Sequence, residues 1–228
     1  MAEVYNTDRF AILYAESRDP PKANLGLAAR YLCDLFATSG IEAAFMGGWA
    51  MNLRGNARGT NDVDLTVRCT MPPLMRILRA QARLFVPEIY GSTAVQVFVR
   101  TGGRWEPAYD EVNISVDIII NGNLGTPQRF PRGTQVINPT RTTQGTGPVT
   151  VLNIRYQMST KLQAFFDRRS ENDYLDIEFL VMQHGRAIWE VYDYFEAAHC
   201  EAFVASFAAR HPGDADSLGV IRQTLGLP

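Results

Sequence analysis

Residues Val112–Ile120 alternate without a break. Val112, Ile114, Val116, Ile118 and Ile120 take one set of positions; Asn113, Ser115, Asp117 and Ile119 take the other. Side chains of a strand point alternately to opposite faces, so this run predicts a strand with one wholly β-branched face. Such a strand has to lie over a core, with Asp117 on its more polar face. Residues 62–67 read the same way: Asp62 and Asp64 share one face, while Val63, Leu65 and Val67 share the other. Two carboxylates about 6–7 Å apart on one strand face repel each other, and a pair of divalent cations relieves that repulsion.

Around these two strands the pattern predicts helices over 7–17 and 22–39, separated by Pro20-Pro21, and a strand over 41–46. Gly47-Gly48 then turns into a short helix at 49–53, and prolines open a helix over 72–82. Strands follow at 85–89 and 95–99. Residues 121–148, rich in Gly, Pro, Thr, Asn and Arg, read as a long irregular stretch with one short strand at 135–137, before a strand at 149–152. From there the pattern turns helical, with helices at 155–167, 172–184, 188–198 and 202–209. The expected fold class is α+β: an N-terminal domain, 1–152, with a mixed β-sheet flanked by helices, and a C-terminal helical region, 153–228.

Net charge is −2, so no global charge points to nucleic acid or a membrane. The charge is uneven, about +2 over residues 1–150 and −4 over 151–228. Only Lys22 and Lys161 are lysines; every other basic residue is arginine. Cys33, Cys69 and Cys200 are widely spaced and show no metal-ligand spacing, which fits free thiols in a reducing compartment. No apolar run reaches the roughly 20 residues of a membrane span. The N-terminus carries no secretory pattern, and a cytoplasmic protein is expected.

The run Gly47-Gly48-Trp49-Ala50, then Arg58-Gly59-Thr60-Asn61-Asp62-Val63-Asp64-Leu65, then Asp117 in a later strand resembles the nucleotidyltransferase superfamily with the polymerase-beta-like fold. The Gly-Gly-Trp-Ala start is similar to antibiotic-modifying aminoglycoside and lincosamide nucleotidyltransferases. The Arg-x-Thr-x-Asp-x-Asp form is similar to toxin-type nucleotidyltransferases of abortive-infection systems. So is the later set Lys161, Arg168, Asp173 and Asp176. The resemblance covers roughly residues 40–185. Asn61 departs from the antibiotic-modifying branch, which usually carries a charged residue there, and this leaves the acceptor open.

The resemblance implies an enzyme that transfers a nucleoside monophosphate from an NTP, ATP included, to a hydroxyl, using two Mg2+ ions or Mn2+. Asp62, Asp64 and Asp117 would be the catalytic metal ligands. Gly47, Gly48, Arg58, Thr60 and Lys161 would bind the nucleotide. Gly47-Gly48 suits that task because a bare backbone and the unpaired N–H groups of a helix start both accommodate phosphate oxygens. Arg58 and Thr60 contact phosphate or brace the strand. Asp173 is a candidate general base for the acceptor hydroxyl; Asp173 and Asp176 can equally pair with Arg168 and Arg169 or cap a helix at Asn172. Trp49 is expected to pack, as is the stripe Trp189, Tyr192 and Phe195. His184, His199 and His211 receive no role. A small-molecule acceptor is favoured over tRNA because the helical half is acidic, although Arg129, Arg132 and Arg141 offer local positive charge. The alternatives are a toxin acting on tRNA or protein and a non-catalytic nucleotide-binding regulatory module. Oligomeric state is left open.

Overall fold

A computed structural model describes residues 1–139 and 147–228. The chain forms two compact units, 1–151 and 152–228.

The first unit is built on a mixed sheet. Its elements in chain order are β1 (Glu3–Tyr5), α1 (Thr7–Glu16), α2 (Lys22–Thr38), β2 (Ala43–Met46), α3 (Gly47–Leu53), β3 (Asp62–Val67), α4 (Met71–Arg79), β4 (Leu84–Pro87), β5 (Ala94–Thr101), β6 (Val112–Ile120), α5 (Phe130–Gly133), β7 (Thr134–Ile137) and β8 (Val149–Leu152). Among the described residues the eight strands run in the order β1-β4-β5-β6-β3-β2-β8-β7. β6 lies parallel to β3 and antiparallel to β5, while β2 lies antiparallel to β3.

The alternation of β3 and β6 decides which face carries the main core. Val63, Leu65, Val67, Ile114, Val116 and Ile118 are almost fully buried and pack with Leu32 and Phe36 of α2 and Leu74 and Leu78 of α4. A smaller cluster, Tyr5, Phe85 and Phe98 with Leu13 of α1, covers part of the opposite face. That face also carries Asp62, Asp64 and Asp117, so α1 shields one flank of the carboxylates' surface and leaves them at the sheet centre.

The second unit holds α6 (Ile154–Arg168), α7 (Glu171–Trp189), α8 (Ala197–Arg210) and α9 (Ala215–Thr224). Phe165, Tyr174 and Phe203 form its aromatic centre, with ring centroids 5.3–6.1 Å apart. Among the described residues, no helix is long and apolar enough to cross a membrane.

Three expectations need correction. No helix spans 188–198: α7 continues through a non-helical residue, His184 (φ −127°, ψ 19°), and stops at Trp189; a 3₁₀ turn then covers Tyr192–Tyr194, and Phe195 is extended. The stripe Trp189, Tyr192 and Phe195 is therefore not one helix face, and Trp189 is 53 % exposed rather than core. Asp173 and Asp176 do not cap α7, which begins at Glu171; the Ser170 side chain does, accepting from the Asp173 N–H. The strand expected at 135–137 is β7; the same stretch also forms α5, and Arg141 lies outside the described residues.

Candidate active site

Register brings the acids together. β3 and β6 pair in parallel with Asp64 opposite Asp117 and Asp62 opposite Ser115. One oxygen from each of Asp62, Asp64 and Asp117 lies within 4.8 Å of the others, close enough for one ion to touch all three. These carboxylates are half-buried. Burial, together with the charge of Asp62, pushes the Asp117 carboxyl up to about 6. An all-oxygen donor set of this kind suits a hard divalent cation such as Mg2+ or Mn2+.

The loop before β3 and the start of α3 pack onto these acids. β2 pairs antiparallel with β3 so that Met46 lies opposite Asp64, and the chain turns at Gly47 directly beside it. Gly47 has φ +59°, a left-handed conformation that side chains disfavour. A β-carbon there would overlap Oδ2 of Asp64 and lie 2.5 Å from its Cγ. At Gly48 a β-carbon would overlap the Thr60 hydroxyl and come within 3.3 Å of Nη2 of Arg58. The two glycines therefore act as a flat seat against which Asp64, Thr60 and Arg58 are placed. The Thr60 hydroxyl donates to Oδ1 of Asp62 over 2.9 Å, bracing the first acid. Arg58 is tied locally, its backbone N–H donating to Asn56 Oδ1 and its guanidinium to the Gly59 carbonyl. Trp49 is fully buried in the main core.

In the second unit, α6 and α7 set Lys161, Arg168, Asp173 and Asp176 against one another. The Lys161 ammonium lies 2.7 Å from Asp176 and 3.3 Å from Asp173, and all three side chains are nearly or fully buried. Arg168 adds two bonds to Asp173, of 2.6 and 2.9 Å, and the Ser170 hydroxyl donates a third over 2.6 Å. Burial alone would raise the Asp173 carboxyl; the bonds from Arg168 and Ser170 and the charge of Lys161 outweigh it and hold the group at about 2. Asp173 is thereby committed to ion pairing, and Arg169 instead donates to the Ala202 carbonyl.

Two residues beside the triad gave little signal in the sequence. Gln96, the cross-strand partner of Asp117, donates its side-chain amide to Ser115 Oγ over 2.8 Å. The Tyr5 hydroxyl donates to the Gln96 carbonyl over 2.7 Å. Gln96 is a lone polar side chain in an apolar strand; Tyr5 belongs to a three-residue strand too short to show a period.

A nucleotidyltransferase-like antigenic protein from Paracoccidioides brasiliensis shares the fold with a TM-score of 0.58 at 15% identity, over 86% of this chain and 93% of that one. The Helicobacter pylori protein JHP933 aligns with a TM-score of 0.48 at 15% identity, over 95% of this chain and 78% of that one. No match to the chain is found among curated proteins. The sequence profile of the nucleotidyl transferase AbiEii toxin family, described as a type IV toxin–antitoxin system, matches residues 30–223. This span takes in the glycine seat, the acidic strands and the Lys161–Asp176 cluster, and the chain belongs to that family of nucleotidyltransferases.

Proposed function

We propose that the chain transfers a nucleoside monophosphate from an NTP to a hydroxyl of a small molecule, with Mg2+ as the cofactor. The observation that carries this reading is the convergence of Asp62, Asp64 and Asp117 on a space one cation can fill. In the reaction an acceptor oxygen bonds to the α-phosphorus, and the bond from that phosphorus to the β-phosphate oxygen breaks. Pyrophosphate leaves with the bonding electrons, and the acceptor proton passes to solvent. Two bound cations would acidify the acceptor hydroxyl and neutralise the triphosphate. Asp62 and Asp64 would hold both ions, and Asp117 the one on the acceptor side.

The remaining residues orient and support. Gly47 and Gly48 let Asp64 and Thr60 sit on bare backbone, Thr60 fixes the Asp62 carboxylate, and Arg58 offers its charge beside Gly48 to phosphate oxygens. Within the second unit, Lys161 pairs with Asp176 and Asp173. Asp173 enters as its anchor and not as a base, since a carboxylate held at about 2 has little affinity for a proton at neutral pH. A cytoplasmic setting fits the free thiols of Cys33, Cys69 and Cys200.

The family's description names a toxin, and a second reading is a toxin whose acceptor is tRNA or protein. The net negative charge favours a small acceptor, because a polynucleotide calls for a basic groove. Incubation with labelled NTPs, Mg2+ and either total tRNA or a panel of amino-hydroxyl compounds separates the two. Calorimetry of ATP with Mg2+ against Asp64→Asn tests the metal site, and binding unchanged in that variant would exclude it. Absence of pyrophosphate release with every acceptor, despite metal binding, would sink the transfer reaction.

A further inference from the structure

A row of facing residues crosses the sheet at the level of the acids. Tyr5 lies opposite Pro87, Gln96 opposite Asp117, Asp117 opposite Asp64, and Asp64 opposite Met46. Gln96 thus flanks Asp117 on the side away from Asp62 and Asp64.

Two bonds fix Gln96 in that place. Its side-chain amide donates to Oγ of the buried Ser115 over 2.8 Å, and Ser115 stands two positions before Asp117 on β6. The side chain therefore turns from its own cross-strand partner and runs diagonally along the β5 flank of Asp117, a span that only a long side chain covers. The backbone is held from the other side. The Arg100 N–H donates to the Arg83 carbonyl, and Phe85 lies opposite Phe98. Hydrogen-bonded pairs alternate along an antiparallel ladder, so the next would join Pro87 to Gln96. Proline has no N–H to give, and the Gln96 carbonyl accepts from the Tyr5 phenol instead, over 2.7 Å.

Beyond Gln96 lies a cavity of about 380 Å3, between the start of α1 and the turn joining β4 to β5, lined also by Tyr5, Phe10, Glu88 and Tyr90. Asp117 has a reason to move that way. It faces Asp64 directly, and like charges on facing positions repel. Gln96 stands between the carboxylate and the open space. Being neutral, it closes the route without adding a charge of either sign next to the acids.

Resting on the two-ion transfer reaction proposed above, we propose that Gln96 is a positioning residue: it walls off the β5 side of Asp117 and keeps that carboxylate turned toward Asp62 and Asp64. Ser115 fixes the wall's side chain and Tyr5 its backbone. Its effect falls on the ion that Asp117 would share, the one on the acceptor side.

The test is a Mn2+ titration of the full chain with a nonhydrolysable ATP analogue, followed by electron paramagnetic resonance. The parent is expected to bind two ions. Gln96→Ala opens the cavity to Asp117 and is expected to weaken one ion about tenfold and leave the other unchanged. Gln96→Asn falls one methylene short of Ser115 and is expected to show the same one-sided loss, which keeps the test open if the alanine variant does not fold. Gln96→Met restores the bulk without the amide and is expected to recover most of the affinity. No loss in the shortened variants, equal loss of both ions, or a methionine variant no better than alanine would overturn the proposal. A parent chain that does not bind two ions would instead overturn the two-ion reading of the triad, and this role of Gln96 with it.

Discussion

Gly47 leaves vacant the space that the Asp64 carboxylate occupies: a β-carbon at position 47 would lie 2.5 Å from Asp64 Cγ. Gly47→Ala would force either the acid or the turn to move, and φ +59° adds backbone strain. The variant is expected to lose about 1–3 kcal/mol of stability. Transfer should fall roughly 100-fold, the cost of displacing a reacting group by about 1 Å. Urea denaturation and pyrophosphate release measure the two effects.

Asp117 makes the cation-free protein sensitive to pH in a defined window. Its folded value of about 6 stands above the ordinary 3.8, so the folded state holds more protons between those values. Stability without divalent cation therefore falls as pH rises from about 4 to 6, by up to about 3 kcal/mol. Asp117→Asn should remove this slope and raise stability at neutral pH in EDTA while abolishing transfer. Mg2+ should stabilise the parent chain more than the variant. Denaturant melts across pH, with and without Mg2+, check both statements.

Asp173 behaves in the opposite sense. Its folded value of about 2 lies below 3.8, so its contribution is present above the unfolded value and is lost as pH falls from about 4 to 2. Asp173→Asn removes the partner of Arg168 and half of the pair around Lys161. A cost of roughly 3–5 kcal/mol is expected, as for breaking other buried ion pairs. Thermal unfolding at pH 7 gives the direct measurement.

Thr60→Val keeps the shape of the side chain but deletes the hydroxyl that donates to Asp62. Removing such a support from a metal-binding carboxylate typically weakens binding by 10- to 100-fold. Mn2+ affinity, followed by electron paramagnetic resonance, is expected to drop at least about tenfold with unfolding little changed.

The acidic strands were legible because period-two alternation is a local property. Val63, Leu65 and Val67 mark one face of β3, and this alone sets Asp62 and Asp64 on the other. The pairing of Asp64 with Asp117 is not local: it depends on a parallel register between strands far apart in sequence, which no short window encodes. β1 escaped because three residues carry no period, and only Tyr5 among them is buried. The helix expected at 188–198 failed because its aromatics supplied helical spacing while the backbone turned at Val191 and extended at Phe195. Gln96 and Tyr5 became meaningful only when β5 and β1 were placed beside β6. The acid pair Asp173 and Asp176 was legible as a pair, but its commitment to Lys161 and Arg168 required the packing of α6 on α7.

Between β3 and β6 the chain leaves the centre of the sheet, forms α4 and the β4–β5 hairpin, and returns to lay β6 beside β3. The acids sit on the two strands that bracket this excursion, while Glu88, Tyr90 and Gln96 belong to the excursion itself. Insertions or substitutions in the turn from 88 to 93 can thus reshape the neighbouring cavity without shifting the carboxylates. A lineage built on this plan can redraw a surface turn and keep the acidic centre of the sheet intact.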